Sequence, residues 1–123
     1  MMSENSFDLK AIVDENLRMG YIELLILQLL SEKDQYGYEM KREIEERTNG
    51  IFTFSLGSLY IPLLRMASRG LISSRKEIVV GKRFRTYYHI EELGSQYLEY
   101  GKSRFDSVID GVRTVLFERE GQK

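Results

Sequence analysis

The sequence contains no cysteine and no tryptophan, and it has one proline and one histidine among its 123 residues. The absence of cysteine excludes disulfide scaffolds, thiolate zinc sites, iron–sulfur clusters and cysteine nucleophiles. A histidine-based metal site or a Ser-His-Asp triad would have to rest on His89 alone. We therefore expect no metal, no cofactor and no enzyme activity.

Long apolar runs are also missing. The longest covers residues 24–27 and is followed by a glutamine and two leucines. That is far short of the roughly 18 apolar residues that a membrane span needs. Residues 1–9 are polar and acidic, unlike a signal peptide. We expect a compact cytoplasmic protein without a membrane partner.

Charged residues are unevenly distributed, although the net charge is only -1. Residues 32–90 contain eleven basic and seven acidic residues, a net charge of +4, whereas residues 1–31 and 91–123 carry -3 and -2. Between residues 65 and 85, Glu77 stands alone among seven basic residues. This distribution favours one anion-binding face, with a mixed solvated surface as the alternative.

Apolar spacing predicts four helices, a β-hairpin and a long last helix. The predicted helices cover residues 7–18, 21–31, 36–48, about 56–69 and 92–118, and the predicted strands cover 71–79 and 84–90. Between these elements, residues 33–35 predict a polar turn. Ser55 is the expected N-cap of the fourth helix, and Pro62 inside it predicts a kink or an irregular first turn.

This order predicts a mostly α protein with a small β-hairpin (α+β), organised as a winged helix-turn-helix. Residues 20–90 form the DNA-binding part, residues 1–19 an N-terminal helix associated with a dimer, and residues 91–123 a C-terminal dimerisation helix. The second helix of the pair fits the major groove of DNA. The hairpin is expected to lie over the adjacent DNA backbone or minor groove. Its basic residues, Lys82, Arg83 and Arg85, are expected to contact phosphates or the minor groove at that place.

The two terminal helices each carry an apolar stripe that the compact part of the chain cannot cover. A second copy of the chain would cover both. A symmetric dimer would then present two reading heads to a pseudo-palindromic site in double-stranded DNA.

Several short blocks in a fixed order also resemble a known family. They are Tyr36-Gly37-Tyr38-Glu39, then Gly57-Ser58-Leu59-Tyr60, then Arg65 with Gly70-Leu71-Ile72, and Gly81-Lys82-Arg83 leading to Tyr87-Tyr88. Over about residues 20–98 the sequence resembles the PadR-like transcriptional regulators. The short length and single C-terminal helix resemble the compact subgroup of that family.

The resemblance implies that Ser58 and Tyr60 contact phosphates or base edges, unless Tyr60 packs in the core. Thr53 and Ser55 either bind phosphate or cap the helix. The full set of candidate DNA-binding residues is Tyr36, Lys41, Thr53, Ser55, Ser58, Tyr60, Arg65, Lys82, Arg83 and Arg85.

The terminal helices also carry aromatic side chains that could line an effector pocket between subunits or simply form the core of a dimer. In multidrug-responsive relatives a tryptophan on the last helix stacks on planar drugs, and the resemblance places Phe105 at that position. The candidate residues for this pocket or interface are Phe7, Ile12, Tyr97, Tyr100, Phe105, Val108, Ile109 and Val112.

The sequence therefore predicts a homodimeric DNA-binding transcriptional regulator. The resemblance implies a repressor that a small apolar or aromatic effector releases. The alternative is a winged-helix interaction module that binds another regulator and not DNA.

Overall fold

The described residues fold into five helices and a small antiparallel sheet. The computed structural model describes residues 2–118, with side chains from residue 9 onward. Its elements in chain order are α1 (Met2–Met19), α2 (Ile22–Glu32), β1 (Gln35–Tyr36), α3 (Gly37–Arg47), α4 (Leu56–Ser68), β2 (Ile72–Ile78), β3 (Phe84–Ile90) and α5 (Glu92–Phe117). All predicted elements are present. Helix α1 begins earlier than predicted, and every other predicted end lies within one residue of the observed one.

Helix α2 lies at the centre of the core and is buried on more than one face. Helices α3, α4 and α5 and strand β3 all pack against it. Burying one such aliphatic side chain contributes about 1.5–3 kcal/mol. The buried side chains of α2, α3 and α4 are Ile22, Ile26, Leu27, Leu29, Leu30, Met40, Ile44, Leu59, Pro62, Leu63 and Met66.

The sheet has three strands in the order β1-β3-β2, one more than the predicted hairpin. We call the hairpin of β2 and β3 the wing. The extra strand is two residues long, too short to show alternation in the sequence. It corrects the prediction of a polar turn at residues 33–35, because Gln35 is fully buried and pairs with Tyr88. The Gln35 amide donates to the Leu29 carbonyl at 3.3 Å, which ties β1 to α2.

Two large side chains on helices α3 and α4 are exposed. Leu64 on α4 is 54% exposed and Tyr38 on α3 is 48% exposed. Both helices pack on α2 through one face only, so side chains beside that face remain in solvent. Helix α4 runs without interruption through Pro62, whose ring is buried in the core.

Helix α5 is anchored by its first turns. At Gly94, an added Cβ would lie 2.2 Å from the Leu71 carbonyl oxygen, so the helix approaches the backbone closely there. Two further glycines lie inside α5, at positions 101 and 111. At Gly101 the close neighbour is the Leu24 side chain, and at Gly111 nothing in the described chain lies within 4 Å. Among the described residues, no helix has both the length and the apolarity that crossing a bilayer requires.

Candidate nucleic-acid interface

The N-terminus of α4 is capped as the sequence predicts. The Ser58 backbone N–H donates to Ser55 Oγ at 3.1 Å, and the two hydroxyl oxygens lie 2.8 Å apart. Both hydroxyls are therefore engaged locally, while the Ser55 side chain remains exposed. Thr53 is exposed immediately before this cap. The cap satisfies one of the free N–H groups of the first turn and leaves the positive end of the helix dipole facing solvent.

Helix α4 presents an exposed face that carries no acidic side chain. Tyr60 is 54% exposed and shares this face with Leu56, Ile61 and Leu64. The helix contains no aspartate or glutamate at any position. A polyanion can therefore approach it without meeting a carboxylate on the helix itself.

The wing has a basic tip. Its turn contains Gly81 at φ +77°, in the left-handed region that favours glycine, and closes with a hydrogen bond from Val79 N–H to the Arg83 carbonyl at 2.9 Å. Lys82 and Arg83 are exposed. Neither forms an ion pair with any described residue. Their charges are therefore available to an external anion.

Arg85 packs with Tyr36, Tyr87 and Arg75 on the outer face of the sheet, in a group that we call the aromatic stack. Its guanidinium carbon is 4.2 Å from the centre of the Tyr36 ring, which packs edge-on against Tyr87 at 5.5 Å. The guanidinium carbon of Arg75 lies over the Tyr87 ring, 5.4 Å from its centre. Tyr36 thus contributes its ring to a cation–π contact, which limits the directions in which Arg85 can point.

Two of the candidate DNA-binding residues are in ion pairs within the chain. Lys41 Nζ lies 2.9 Å from Glu45 Oε2, one helical turn away. This bond lowers the pKa of the Glu45 carboxyl. Arg65 Nε donates to Glu23 Oε2 at 2.7 Å, which links α4 to α2. Spacing along the chain signals the first pair, but nothing in the sequence signals the second.

A charged cluster beside the aromatic stack was not predicted from the sequence. Asp34 accepts from Arg75 Nη1 at 2.6 Å and lies 2.8 Å from His89 Nδ1. The bond to His89, and then the bond to Arg75, lower the pKa of Asp34. The three residues come from distant parts of the sequence and meet only when β1 joins the sheet. Within residues 9–118, no three acidic, histidine or cysteine side chains are grouped so that they could hold a metal ion.

The candidate effector and dimer residues fall into separate places. Phe105 and Ile109 line an open apolar cavity of about 450 Å³ between α2 and α5, and Phe52 also lines it. Tyr97 and Tyr100 line a different depression, beside the start of α2. The three described aromatic side chains therefore do not line one shared pocket within the subunit. Phe7 lies outside the described side chains.

The remaining apolar residues of this set lie on uncovered helix faces. Ile12 on α1 is 54% exposed, and Val108 and Val112 on α5 are 50% and 48% exposed. Together with Leu9 and Leu116 they form stripes that nothing in the described chain covers.

Helices α2 to α4 and the two-stranded wing define a winged helix-turn-helix protein. A model of the transcriptional regulator PadR-like family matches residues 26–100, more than half of the chain. Protein X of Lysinibacillus sphaericus is 36% identical over 87 residues, which cover 71% of this chain and 80% of that protein. The chain belongs to the PadR-like family of transcriptional regulators, as its sequence motifs predict.

Solved structures share this fold. A PadR family transcriptional regulator from Eggerthella lenta superposes with a TM-score of 0.75 at 24% identity, covering 97% of this chain and 100% of that one. Bacillus subtilis PadR, solved in complex with operator DNA, superposes with a TM-score of 0.59 at 23% identity. That match covers 63% of this chain and 44% of the Bacillus protein. Both likenesses confirm the predicted fold class.

Proposed function

We propose that residues 20–90 bind double-stranded DNA sequence-specifically and that the protein regulates transcription from such sites. One observation carries the proposal. The carboxylate-free exposed face of α4 lies beside a wing whose tip charges are not paired within the described chain. A helix of this kind fits the major groove, about 12 Å wide, while wing cations neutralise phosphates. The complex of Bacillus subtilis PadR with operator DNA supports this arrangement.

The residues have different roles in this proposal. Ser58 and Tyr60 contact base edges or phosphates in the major groove, and Thr53 and Ser55 lie where phosphate meets the N-terminus of α4. Lys82, Arg83 and Arg85 contact phosphates or the minor groove beside it, with Tyr36 holding Arg85 in place. Lys41 and Arg65 stabilise the domain through their ion pairs within the chain.

We propose further that the protein acts as a homodimer on a pseudo-palindromic operator. The exposed stripes of α1 and α5 have no cover in the described chain, and apolar stripes of this size favour association. A C2 dimer would bury them and place two copies of α4 on successive turns of DNA. Bound across a promoter in the cytoplasm, such a dimer represses transcription by excluding polymerase.

The cavity beside Phe105 supports an effector role. It lies between α2, which belongs to the DNA-binding core, and α5, which carries the proposed dimer stripe. An apolar or aromatic ligand in this cavity would change the angle between α2 and α5. The distance between the two α4 helices of the dimer would change with it. By linkage, DNA must then weaken binding of the effector by the same factor. An apolar dye such as ANS tests this, because its affinity must fall when DNA is added.

Electrophoretic mobility tests the DNA-binding proposal. The DNA upstream of the protein's own gene is titrated with the wild type, with the triple variant Lys82→Ala/Arg83→Ala/Arg85→Ala, and with Lys10→Ala/Arg104→Ala/Arg113→Ala. The last variant removes the same charge from α1 and α5. We expect a sequence-preferring shift that only the wing variant loses. Affinity should also fall steeply with salt.

An absence of DNA binding would favour the alternative function. If neither this DNA nor a random duplex library yields a bound species at low salt and micromolar protein, the chain is an interaction module for another regulator. Capture of that regulator through a largely apolar interface would be insensitive to salt, which separates the two functions.

A further inference from the structure

The far end of the wing carries two exposed apolar side chains that face each other. Ile78 and Phe84 are direct partners in the register of β2 and β3. They are 69% and 62% exposed. Directly opposed residues project to the same side of a sheet with their Cβ atoms about 4.5–5.5 Å apart. The two side chains therefore form one apolar patch, which we call the wing patch.

The wing patch lies on the α4 side of the wing. Side chains alternate along β3, so Phe84 shares its face with Thr86 and Tyr88. Thr86 and Tyr88 line a depression together with Tyr60 of α4. Burial, and then the neighbouring Tyr60, raise the pKa of Tyr88, in agreement with this proximity. The wing patch and the exposed face of α4 thus border the same side of the molecule.

Positive charge surrounds the patch. Lys76 lies on the patch's own face of β2, and Lys82 and Arg83 lie in the adjoining turn, all three exposed. Glu77, the acidic residue of the wing, projects to the opposite face and pairs with Arg75 at 2.6 Å. The complementary partner therefore offers apolar surface between closely spaced negative charges.

The minor groove of DNA has this chemistry. Its walls are deoxyribose, its edges are phosphates, and proteins that bind it insert apolar wedges such as Phe and Ile. The minor groove is about 6 Å wide, and the wing patch offers it two apolar side chains flanked by Lys76, Lys82 and Arg83. We propose that the Ile78–Phe84 wing patch packs into the minor groove that flanks the segment contacted by α4. This inference rests on the proposed function and adds a salt-independent apolar contact to it.

Affinity measured over a range of salt tests the inference. The probe is a 30-base-pair duplex that the wild type selects from a random library, labelled for fluorescence anisotropy. Phe84→Ala should weaken binding about tenfold at every salt concentration, because it removes apolar burial and no charge. Phe84→Leu should keep most of the affinity. Lys82→Ala should instead reduce the slope of log affinity against log salt by about 1.

The outcomes separate the alternatives. If the wild type selects a duplex and Phe84→Ala binds it within twofold, the inference fails and the proposed function stands. If the wild type selects no duplex, the proposed function fails and the inference with it. Sedimentation velocity tests whether the wing patch binds a second copy of the chain. Anionic phosphatidylglycerol vesicles test whether it binds a lipid surface. If Phe84→Ala alters self-association or vesicle binding but not DNA binding, the inference is overturned.

Discussion

The Glu23 carboxylate on α2 accepts a hydrogen bond from Arg65 Nε on α4 at 2.7 Å. Its other oxygen accepts from the Tyr97 hydroxyl on α5 at 2.9 Å. Burial, and then this bond to Glu23, raise the pKa of Tyr97. One carboxylate therefore joins the proposed recognition helix, the central core helix and the proposed dimer helix. These three side chains therefore link α5 to α4 through α2.

Removing this carboxylate should destabilise the fold. We expect Glu23→Gln to lower the free energy of unfolding by about 1 kcal/mol, because it breaks a charged hydrogen bond that is only partly screened by solvent. The midpoint of thermal unfolding should fall by about 4 °C. Glu99→Gln, an exposed change on α5, is the matched control and should have no such effect.

The ion pair with Glu23 also determines what substitution of Arg65 should do to stability and to DNA binding. Because its guanidinium is held by Glu23, Arg65→Ala should lower stability while leaving the salt dependence of DNA binding unchanged. A phosphate contact would instead appear as a slope reduced by about 1. Measuring Arg65→Ala beside Lys82→Ala therefore separates a residue that stabilises the fold from one that contacts phosphate.

Acid should unfold the protein partly through Glu32. Hydrogen bonds from Arg47 and then Gln28 lower the pKa of Glu32 from 4.5 to about 2. The folded state thus binds this proton less tightly than the unfolded state. The stabilisation is complete above about pH 4.5 and disappears as the pH falls towards 2. Since the side chain is 36% exposed, we expect a contribution of only about 1 kcal/mol.

Circular dichroism at a series of pH values measures this effect. Glu32→Gln should be less stable than the wild type at pH 6 and equally stable at pH 2, so the two curves converge on acidification. Curves that remain parallel from pH 6 to pH 2 would contradict this assignment.

Local chemistry made much of the fold predictable. Ser55 caps α4 as predicted, and Asn49, Gly50 and Gly70 adopt the positive φ expected of residues that end helices. Strand β3 has the predicted bounds because its branched and aromatic residues have a strong strand preference. These features depend on residues close together in sequence, which is why sequence patterns reveal them.

Contacts between distant residues were not predictable. The Glu23–Arg65 pair spans 42 positions and the Asp34–His89 pair spans 55. Neither has a periodic signature, because each depends on how elements pack. Strand β1 was missed for a related reason, since two residues can be recognised as a strand only beside β3. Of the candidate site, the sequence therefore predicted the helix and the wing but not the ion pairs between elements.

Gly94 should not tolerate a side chain. An alanine Cβ there would lie 2.2 Å from the Leu71 carbonyl oxygen and 2.9 Å from Ile90 Cγ1. The Leu71 oxygen is held in place because it accepts the Glu91 N–H at 2.9 Å. We expect Gly94→Ala to cost about 2–3 kcal/mol of stability by displacing α5. Chemical denaturation monitored by circular dichroism measures the loss.

Gly111 provides the contrasting case on the same helix. Nothing in the described chain lies within 4 Å of its added Cβ, so Gly111→Ala should stabilise the subunit by about 0.5–1 kcal/mol through helix propensity. If the substitution instead destabilises the protein, and more so at higher protein concentration, a second copy of the chain approaches the helix at this glycine.

The apolar stripe of α5 should hold the dimer together. Val108→Glu would place a carboxylate in an interface formed by Val108, Val112 and the matching residues of a second copy, and a buried unpaired charge is strongly unfavourable. We expect this variant to sediment as a monomer and to lose at least tenfold in affinity for a pseudo-palindromic duplex, because the two recognition helices no longer bind together. Ser107→Glu adds the same charge one residue away, on the side of the helix opposite the stripe, and should remain dimeric. A Val108→Glu variant that stays dimeric at micromolar concentration would show that the subunits associate through another surface.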